Sequence, residues 1–132
     1  MKEHTVIKHR RPRPKPSTLS QAKRGAREEL RAMRQRFGLS QALVGRLLGV
    51  SLRTVSGLES GSGPKAQSRR NMMQTSRLCK RLADSMEPGF VGRWLDEPNE
   101  MLDNLTPAEA IERGHLDLVW QIVEGLRSGS PL

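Results

Sequence analysis

The sequence predicts an all-α protein, and three observations point to that class. Apolar residues recur at the three- and four-residue spacing of a helix face, and no stretch alternates with the period of two that a strand requires. Ser40, Ser51 and Thr106 each stand just before such a pattern, where a hydroxyl can cap a helix, and glycines stand where the patterns end. The hydrophobic content of 35% in 132 residues allows a modest core, in one domain or two very small ones.

Residues 1–19 are predicted to be a basic, proline-rich flexible arm. Basic residues alternate with Pro12, Pro14 and Pro16, and such a segment neither continues a helix nor buries a core. An arm of this kind can follow a nucleic-acid backbone or enter a minor groove. It can equally be a solvated leader.

Residues 20–66 are predicted to form a helical unit that binds DNA. Its first helix is expected over Ala26–Phe37, because Gly25 weakens any continuation from a half-turn at Thr18. The apolar stripe of this helix comprises Leu30, Met33 and Phe37.

A helix-turn-helix follows directly. Ser40 can cap a helix over Gln41–Leu48, Gly49 suits the turn, and Ser51 can cap a second helix that runs to Glu59. The dominant use of this unit is to lay its second helix in the major groove of DNA, although serine-capped helix pairs also occur in proteins that never touch DNA. The predicted buried side consists of Val44, Leu47, Val50, Val55 and Leu58, with Gly45 allowing a close crossing of helices.

A connecting helix is predicted for residues 67–86, with its apolar pattern running from Arg69 to Met86. Met72 and Cys79 lie on that pattern, and we interpret them as core residues rather than a metal or redox site. The lone cysteine excludes an internal disulfide and fits a reducing cytoplasm.

Residues 87–132 are predicted to form a second helical unit. Pro88 and Gly89 interrupt the connecting helix, and a short amphipathic turn then carries Phe90, Val91, Trp94 and Leu95. Thr106-Pro107-Ala108-Glu109 is a capping box with proline at the first helical position. The last helix is expected over Leu116–Leu126; its apolar residues cover more than one stripe, which indicates contacts with its own domain and with another chain.

The charge is divided unevenly along the chain. Residues 1–81 carry 20 lysines and arginines against 4 acidic residues, a net charge of +16, and residues 82–132 carry 3 against 10, a net charge of −7, which together give +9. The basic half can neutralise phosphates, whereas the acidic half would be repelled by DNA. The sequence contains no apolar run long enough for a membrane helix and no apolar segment after the basic N-terminus, so neither membrane insertion nor secretion is expected.

The segment from Arg27 to Gly61 resembles the helix-turn-helix domains of the Xre or Cro/repressor-like class. The resemblance implies that Gln41 contacts a phosphate and that Arg34 pairs with Glu59. The residues that carry the resemblance are Leu39-Ser40-Gln41, Leu47-Leu48-Gly49-Val50-Ser51, Thr54-Val55 and Leu58-Glu59-Ser60-Gly61.

The exposed face of the second motif helix is the predicted DNA reader. The guanidinium of Arg53 can donate twice to guanine O6 and N7, or it can contact phosphate or remain solvated. Leu52 can meet a thymine methyl, whereas Gly57 offers no side chain. The predicted DNA-binding set is Gln41, Ser51, Leu52, Arg53, Thr54, Ser56 and Gly57.

The segment from Phe90 to Gly129 looks like the C-terminal domain of the Xre/MbcA/ParS antitoxins. It departs from the family at Asp103-Asn104-Leu105, where a glycine-containing turn is common. The residues that carry the resemblance are Trp94-Leu95, Pro98-Asn99, Leu102, Thr106-Pro107-Ala108-Glu109, Gly114, Val119, Ile122, Leu126 and Gly129.

This second resemblance implies a partner, a RES-domain toxin that acts on NAD. It also implies a cytoplasmic homodimer that covers the toxin's active site and represses its own operon by binding operator DNA. The tail after Arg127 can reach into the toxin's cleft or simply fray. The predicted toxin-binding residues are Trp94, Leu116, Trp120, Val123, Leu126 and Arg127.

Two other functions make different demands on the sequence. A stand-alone helix-turn-helix repressor, whose C-terminal half only dimerises, would share every feature of the basic half. An enzyme is not expected, because no nucleophile–base pair, metal-spaced set or phosphate-cradling loop is present, and His115 fits a helix end better than a catalyst. No cofactor or metal is predicted. The last helix and the 69–86 helix are the candidate dimer contacts.

Overall fold

The structure, a computed structural model, describes residues 16–129 of the chain. It contains helices and no strand over that range, so the all-α prediction is confirmed. Residues 1–15 of the predicted arm and residues 130–132 of the tail lie outside the described residues. The helices are α1 (Pro16–Phe37), α2 (Gln41–Leu48), α3 (Leu52–Glu59), α4 (Ala66–Leu82), α5 (Val91–Leu95), α6 (Pro107–Glu112) and α7 (Leu116–Ser128), with 3-10 turns at Pro88–Phe90 and Glu100–Leu102.

The first helix is longer than the sequence indicated. It begins at Pro16 rather than Ala26 and passes through Gly25 without a break. Residues 16–19, which were predicted to belong to the arm, are therefore helical. Proline suits a first helical position because its fixed φ is already helical and its missing N–H would have no partner there. One interior glycine costs about 1 kcal/mol, which is too little to interrupt a helix of this length.

The predicted caps are present. Ser40 Oγ accepts a hydrogen bond from the Leu43 N–H at 3.0 Å, and Ser51 Oγ accepts one from the Thr54 N–H at 3.1 Å. Thr106 begins α6 with both bonds of the capping box, at 3.0 Å to its hydroxyl and 2.8 Å to the Glu109 carboxylate. These bonds satisfy N–H groups that a helix start otherwise leaves unpaired.

The turn before α6 reaches its shape without glycine. Asp103 and Asn104 both adopt left-handed conformations, with φ of 56° and 65°. Asp and Asn tolerate this region better than other non-glycine residues. Two further bonds hold the turn, because Asn104 N donates to Asn99 O at 3.0 Å and Met101 N donates to Asn99 Oδ1 at 2.9 Å.

A single hydrophobic core joins the basic and acidic halves of the chain. Leu82, at the boundary that the charge division suggested, is fully buried. Helix α4 packs against α1 and α2 on one side and against α7 on the other, and α2 also packs against α6. The segments predicted as 20–66, 67–86 and 87–132 all contribute to that core. Its largest fully buried side chains include Leu30, Phe37, Leu48, Val55, Leu78, Leu95 and Val119.

The two halves touch most closely at glycines. A Cβ placed on Gly92 would lie 2.1 Å from the Gly38 carbonyl oxygen, and a Cβ on Gly38 would lie 2.5 Å from the Gly89 carbonyl oxygen. No side chain fits at either point. Within the basic half, Gly45 has the role expected of it, because a Cβ there would lie 2.9 Å from the Val50 carbonyl oxygen across the motif turn.

Candidate nucleic-acid interface and partner surface

Helix α3 has an exposed, mainly polar face and a buried apolar face. Val55 and Leu58 are buried, while Leu52 is 53% exposed and Arg53 is exposed beside it. This arrangement follows from the helical period, because residues three apart share the inward face. Gly57 is half-buried beside the Ser62 side chain. The outward residues that the sequence selected are Ser51, Leu52, Arg53, Thr54 and Ser56.

Two hydroxyls of this face are already engaged at the start of α3. Ser51 Oγ accepts from the Thr54 N–H and lies 3.0 Å from Thr54 Oγ1. One of the two hydroxyl hydrogens is used in the bond between Ser51 and Thr54, so the cap leaves the other hydroxyl hydrogen able to donate to an oxygen of a ligand. Arg53 has no ion pair or hydrogen bond within residues 16–129, so its guanidinium is free of protein partners in that range.

The end of α3 is fixed by a cluster around Glu59, which is only 7% exposed. Arg34 Nη1 donates to Glu59 Oε2 at 2.7 Å, and Gln41 Nε2 donates to Glu59 Oε1 at 2.7 Å. The structure thus brings together Arg34 and Glu59, the pair that the family resemblance implies. It also ties α1, α2 and α3 to one carboxylate.

Gln41 has a structural bond that the sequence did not indicate. Its amide donates to Glu59, so a phosphate contact would have to use the second N–H of the same nitrogen. Two further bonds extend the cluster, from Arg34 Nε to Leu39 O at 3.0 Å and from Arg31 Nη2 to Glu59 O at 3.1 Å. Backbone acceptors of this kind leave no signature in the sequence.

The environment of Glu59 favours its charged form. Burial by itself raises the pKa of this carboxyl, but the hydrogen bonds from Gln41 and Arg34 and the charges of Arg34 and Arg31 outweigh burial and lower the pKa. Glu59 therefore remains ionised at neutral pH. Its negative charge holds Arg34 in place and keeps α3 docked on α1.

One supporting residue was missed by the sequence reading. Asn71 of α4 donates from Nδ2 to the Leu48 carbonyl oxygen at 2.9 Å, at the C-terminal end of α2. This bond satisfies one of the carbonyls that a helix end leaves unpaired. It links the connecting helix to the motif turn, 23 residues earlier in the chain.

The residues predicted to bind a toxin differ in their exposure to solvent. Leu126 is 43% exposed and Arg127 is exposed, while Trp94, Leu116 and Trp120 are half-buried against the core. Val123 is 1% exposed, which is a correction to its predicted place on a partner surface. It shares the inward face of α7 with Val119 and Ile122, because these positions repeat at the helical period.

Exposed apolar side chains that the sequence did not select lie elsewhere on the acidic half. Leu118 is 41% exposed, Met101 47% and Phe90 38%. Helical periodicity pointed to the whole apolar set of the last helix, and only packing could separate the inward members from the outward ones. Arg127 is paired with Glu124 of the same helix, 3.7 Å from Nη1 to Oε1.

Cys79 is a core residue, as its spacing indicated. It is fully buried, and burial raises the pKa of its thiol to about 12, so the reactive thiolate does not form near neutral pH. Among residues 16–129, no group of three or more His, Cys, Asp and Glu side chains could hold a metal ion. Nor does any helix in that range combine the length and apolarity needed to cross a membrane.

Comparison with known proteins agrees with this geometry. A family model described as helix-turn-helix matches residues 30–68, which contain α2 and α3. A probable mycobacterial cidal antitoxin of Mycobacterium tuberculosis is 30% identical over 95 residues, which cover 71% of this chain and 81% of that protein.

The fold is also found among solved structures. A chain of the M. tuberculosis MbcT–MbcA toxin–antitoxin complex superposes with a TM-score of 0.64, at 19% identity, over 80% of this chain and 96% of that one. The helix-turn-helix match and the 30% identity to the mycobacterial antitoxin over most of both chains lead to one conclusion. The chain belongs to the Xre/MbcA/ParS family of antitoxins, with a DNA-binding helix-turn-helix in its N-terminal half.

Proposed function

We propose that this antitoxin neutralises a RES-type toxin that consumes NAD and represses its own operon through α3. It acts by binding rather than by catalysis, in the cytoplasm and as a homodimer. The family resemblance supports the kind of toxin, and the relative of known structure comes from a toxin–antitoxin complex. The observation that carries the DNA-binding part is the free guanidinium of Arg53 on the exposed face of a helix that the Glu59 cluster holds rigidly.

A homodimer suits operator recognition. One short recognition helix reads too few bases, and repressor-type units bind two-fold sites in pairs. Of the two candidate contact helices, α4 and α7, we propose α7 for the dimer, since it carries the exposed apolar side chain of Leu118. Light scattering of the purified chain checks the stoichiometry.

The acidic half is the proposed toxin-binding surface. Its net charge of −7 keeps it away from DNA, and Leu126, Trp94 and Trp120 offer apolar anchors at its surface. Arg127 follows Leu126 in the last turn of α7 and pairs with Glu124 of that helix. This assignment leaves α3 free to bind operator DNA while a toxin is held.

Co-expression with the product of the neighbouring gene tests the toxin-binding part. We expect relief of growth arrest and a complex that co-purifies. Leu126→Glu should weaken the complex while leaving the fold intact, because Leu126 is exposed. Arg113→Glu, in the same half but outside the predicted surface, is the matched control. If growth arrest persists and no complex forms with the unaltered chain, the proposed pairing is wrong.

Binding to the chain's own promoter tests the DNA part. We expect a specific shift whose affinity falls steeply with salt, because neutralised phosphates release counterions. Binding that is absent or insensitive to salt would contradict the role of the basic half.

A further inference from the structure

A groove of about 600 Å³ lies between α1 and α4, and its described lining includes no residue of α3. Gly25, Ala26 and Glu29 form the α1 wall, and the loop residues Gly63 and Pro64 close one end. The α4 wall extends from Arg69 to Lys80, which at 1.5 Å per residue is about 16 Å, or three helical turns. These dimensions match the footprint of a short helix.

Methionines form the floor of this groove. Met33 and Met72 reach it from the core, and Met73 at its edge is 54% exposed, more than any other large apolar side chain described. Methionine is flexible and polarisable, and it adapts to the shape of whatever covers it. An exposed apolar strip of this kind favours an occupant with apolar side chains at helical spacing.

The rim sets the charge of the occupant. Arg69, Arg77 and Lys80 line the α4 side, while Glu29 is the acidic residue of the lining. A second copy docking groove to groove would bring two basic rims together, and the arm of residues 1–15, with six lysines and arginines against one glutamate, would be repelled as well. DNA is disfavoured by the methionine floor. A carboxylate-bearing segment is attracted by the three cations, which outnumber Glu29 in the described lining.

We propose that the groove between α1 and α4 docks an acidic amphipathic helix of another protein. Apolar side chains at positions i, i+4 and i+7 of that helix cover Met33, Met72 and Met73, and carboxylates along one edge face Arg69, Arg77 and Lys80. The small α1 wall at Gly25 and Ala26 lets the helix approach closely, since no atom lies within 4 Å of a Cβ placed on Gly25. The site is separate from the exposed face of α3 and from the proposed toxin-binding surface.

Synthetic peptides test this proposal on the full-length protein. The probe is a fluorescent three-turn helical peptide with leucines at i, i+4 and i+7 and glutamates on the flanks. Its two controls replace the glutamates with lysines or scramble the same composition. Fluorescence anisotropy is expected to show saturable binding of the acidic peptide and at least tenfold weaker binding of both controls.

Variants locate the binding. Met73→Glu should weaken the acidic peptide at least about tenfold, because it removes an apolar contact and adds a repelling charge to the groove. Arg77→Glu should weaken it about two- to fivefold, whereas Arg70→Glu, on the same helix outside the groove, should not. The double variant Arg77→Glu and Lys80→Glu should bind the lysine peptide better than the unaltered chain does.

Three results would overturn the proposal: no saturable binding of the acidic peptide at millimolar concentration, equal binding of the scrambled peptide, or binding that Met73→Glu leaves unchanged. Conversion of a dimer to a monomer by Met73→Glu would also overturn it and assign the groove to a second copy. Circular dichroism and promoter binding of Met73→Glu, both expected to be unchanged, separate these results from a failure of folding or of the proposed DNA binding.

Discussion

Glu59 connects three helices, because each oxygen of its carboxylate accepts a hydrogen bond from a different helix. Its carboxylate receives Arg34 of α1 and Gln41 of α2, and its own position is the last residue of α3. Such a contact stabilises the fold because both charges are hydrogen-bonded, and removing Arg34 would leave the buried Glu59 carboxylate with part of its charge uncompensated. The orientation of the recognition helix therefore depends on one ionised side chain.

Replacing Glu59 by glutamine is expected to lower the free energy of unfolding by about 1.5–3 kcal/mol at neutral pH. The loss is limited because Arg34 is 27% exposed and recovers part of its hydration. The folded-state pKa of Glu59 is lowered, so the stability it contributes is present above its ordinary pKa of 4.5 and lost as the pH falls below that value. Urea denaturation at several pH values should show the two proteins converging in acid. A constant difference at all pH values would contradict the ionic role.

The side chain of Arg53 is expected to contact a base of the operator. Arg53→Ala is expected to cost about 1–3 kcal/mol on the cognate operator and to relax preference at one base pair, with no loss of thermal stability because the side chain is exposed. Binding titrations against operators substituted at single positions measure both effects. A uniform loss across all sequences would show that Arg53 holds a phosphate instead.

Elements are joined mainly by contacts at their ends. Asn71 of α4 holds the last carbonyl of α2, and the cap at Ser51 starts α3 two residues after the Gly49 turn. The turn at Asp103 and Asn104 sets the entry to α6 in the same way. Helices of five to eight residues are too short to be stable alone, so their positions depend on these terminal bonds and on packing.

Asn71→Ala is expected to destabilise the protein by about 1 kcal/mol, because the Leu48 carbonyl loses a hydrogen bond at a half-buried position. Gln74→Ala, three residues later on α4 and exposed, is the matched control and should cost less than about 0.5 kcal/mol. The comparison is made by urea denaturation. Equal effects would show that the Asn71 bond contributes nothing beyond helix propensity.

The basic half and the acidic half of the chain share one packed core but differ in the charge of their surfaces. Arg46 lies 3.6 Å from Asp96, and Arg81 lies 3.4 Å from Glu124, but these exposed pairs add little stability. The halves are joined by the shared core and by the glycine contact between Gly38 and Gly92. We therefore expect the chain to unfold in one cooperative step.

Gly92→Ala is expected to destabilise the protein by about 3 kcal/mol or more, because its Cβ would meet the Gly38 carbonyl at 2.1 Å and backbone cannot yield as a side chain can. Gly89→Ala is the matched control, since nothing lies within 4 Å of a Cβ there. Thermal unfolding of both variants measures the difference in stability. An unchanged stability of Gly92→Ala would mean that the halves can move apart at this contact without loss of stability.

The helical class, the caps and the motif turn could all be predicted from the order of residues in the chain. These features rest on local chemistry: a hydroxyl at a helix start, glycine at the αL position of Gly49, and apolar residues at helical spacing. The pairing of Arg34 with Glu59 came from family resemblance rather than from spacing. Helix α1 begins ten residues before its predicted start, because Gly25 costs too little free energy to interrupt it.

Which apolar residues face outward, and how the halves meet, depend on packing in the folded molecule. Val123 and Leu118 belong to the same apolar helix, yet packing buries the first and exposes the second. Asn71 reaches Leu48 and Gly92 reaches Gly38 across long stretches of chain, and no local pattern records such contacts. Local patterns are set by a residue's near neighbours in the chain, whereas burial and close approach depend on residues that only the completed fold brings together.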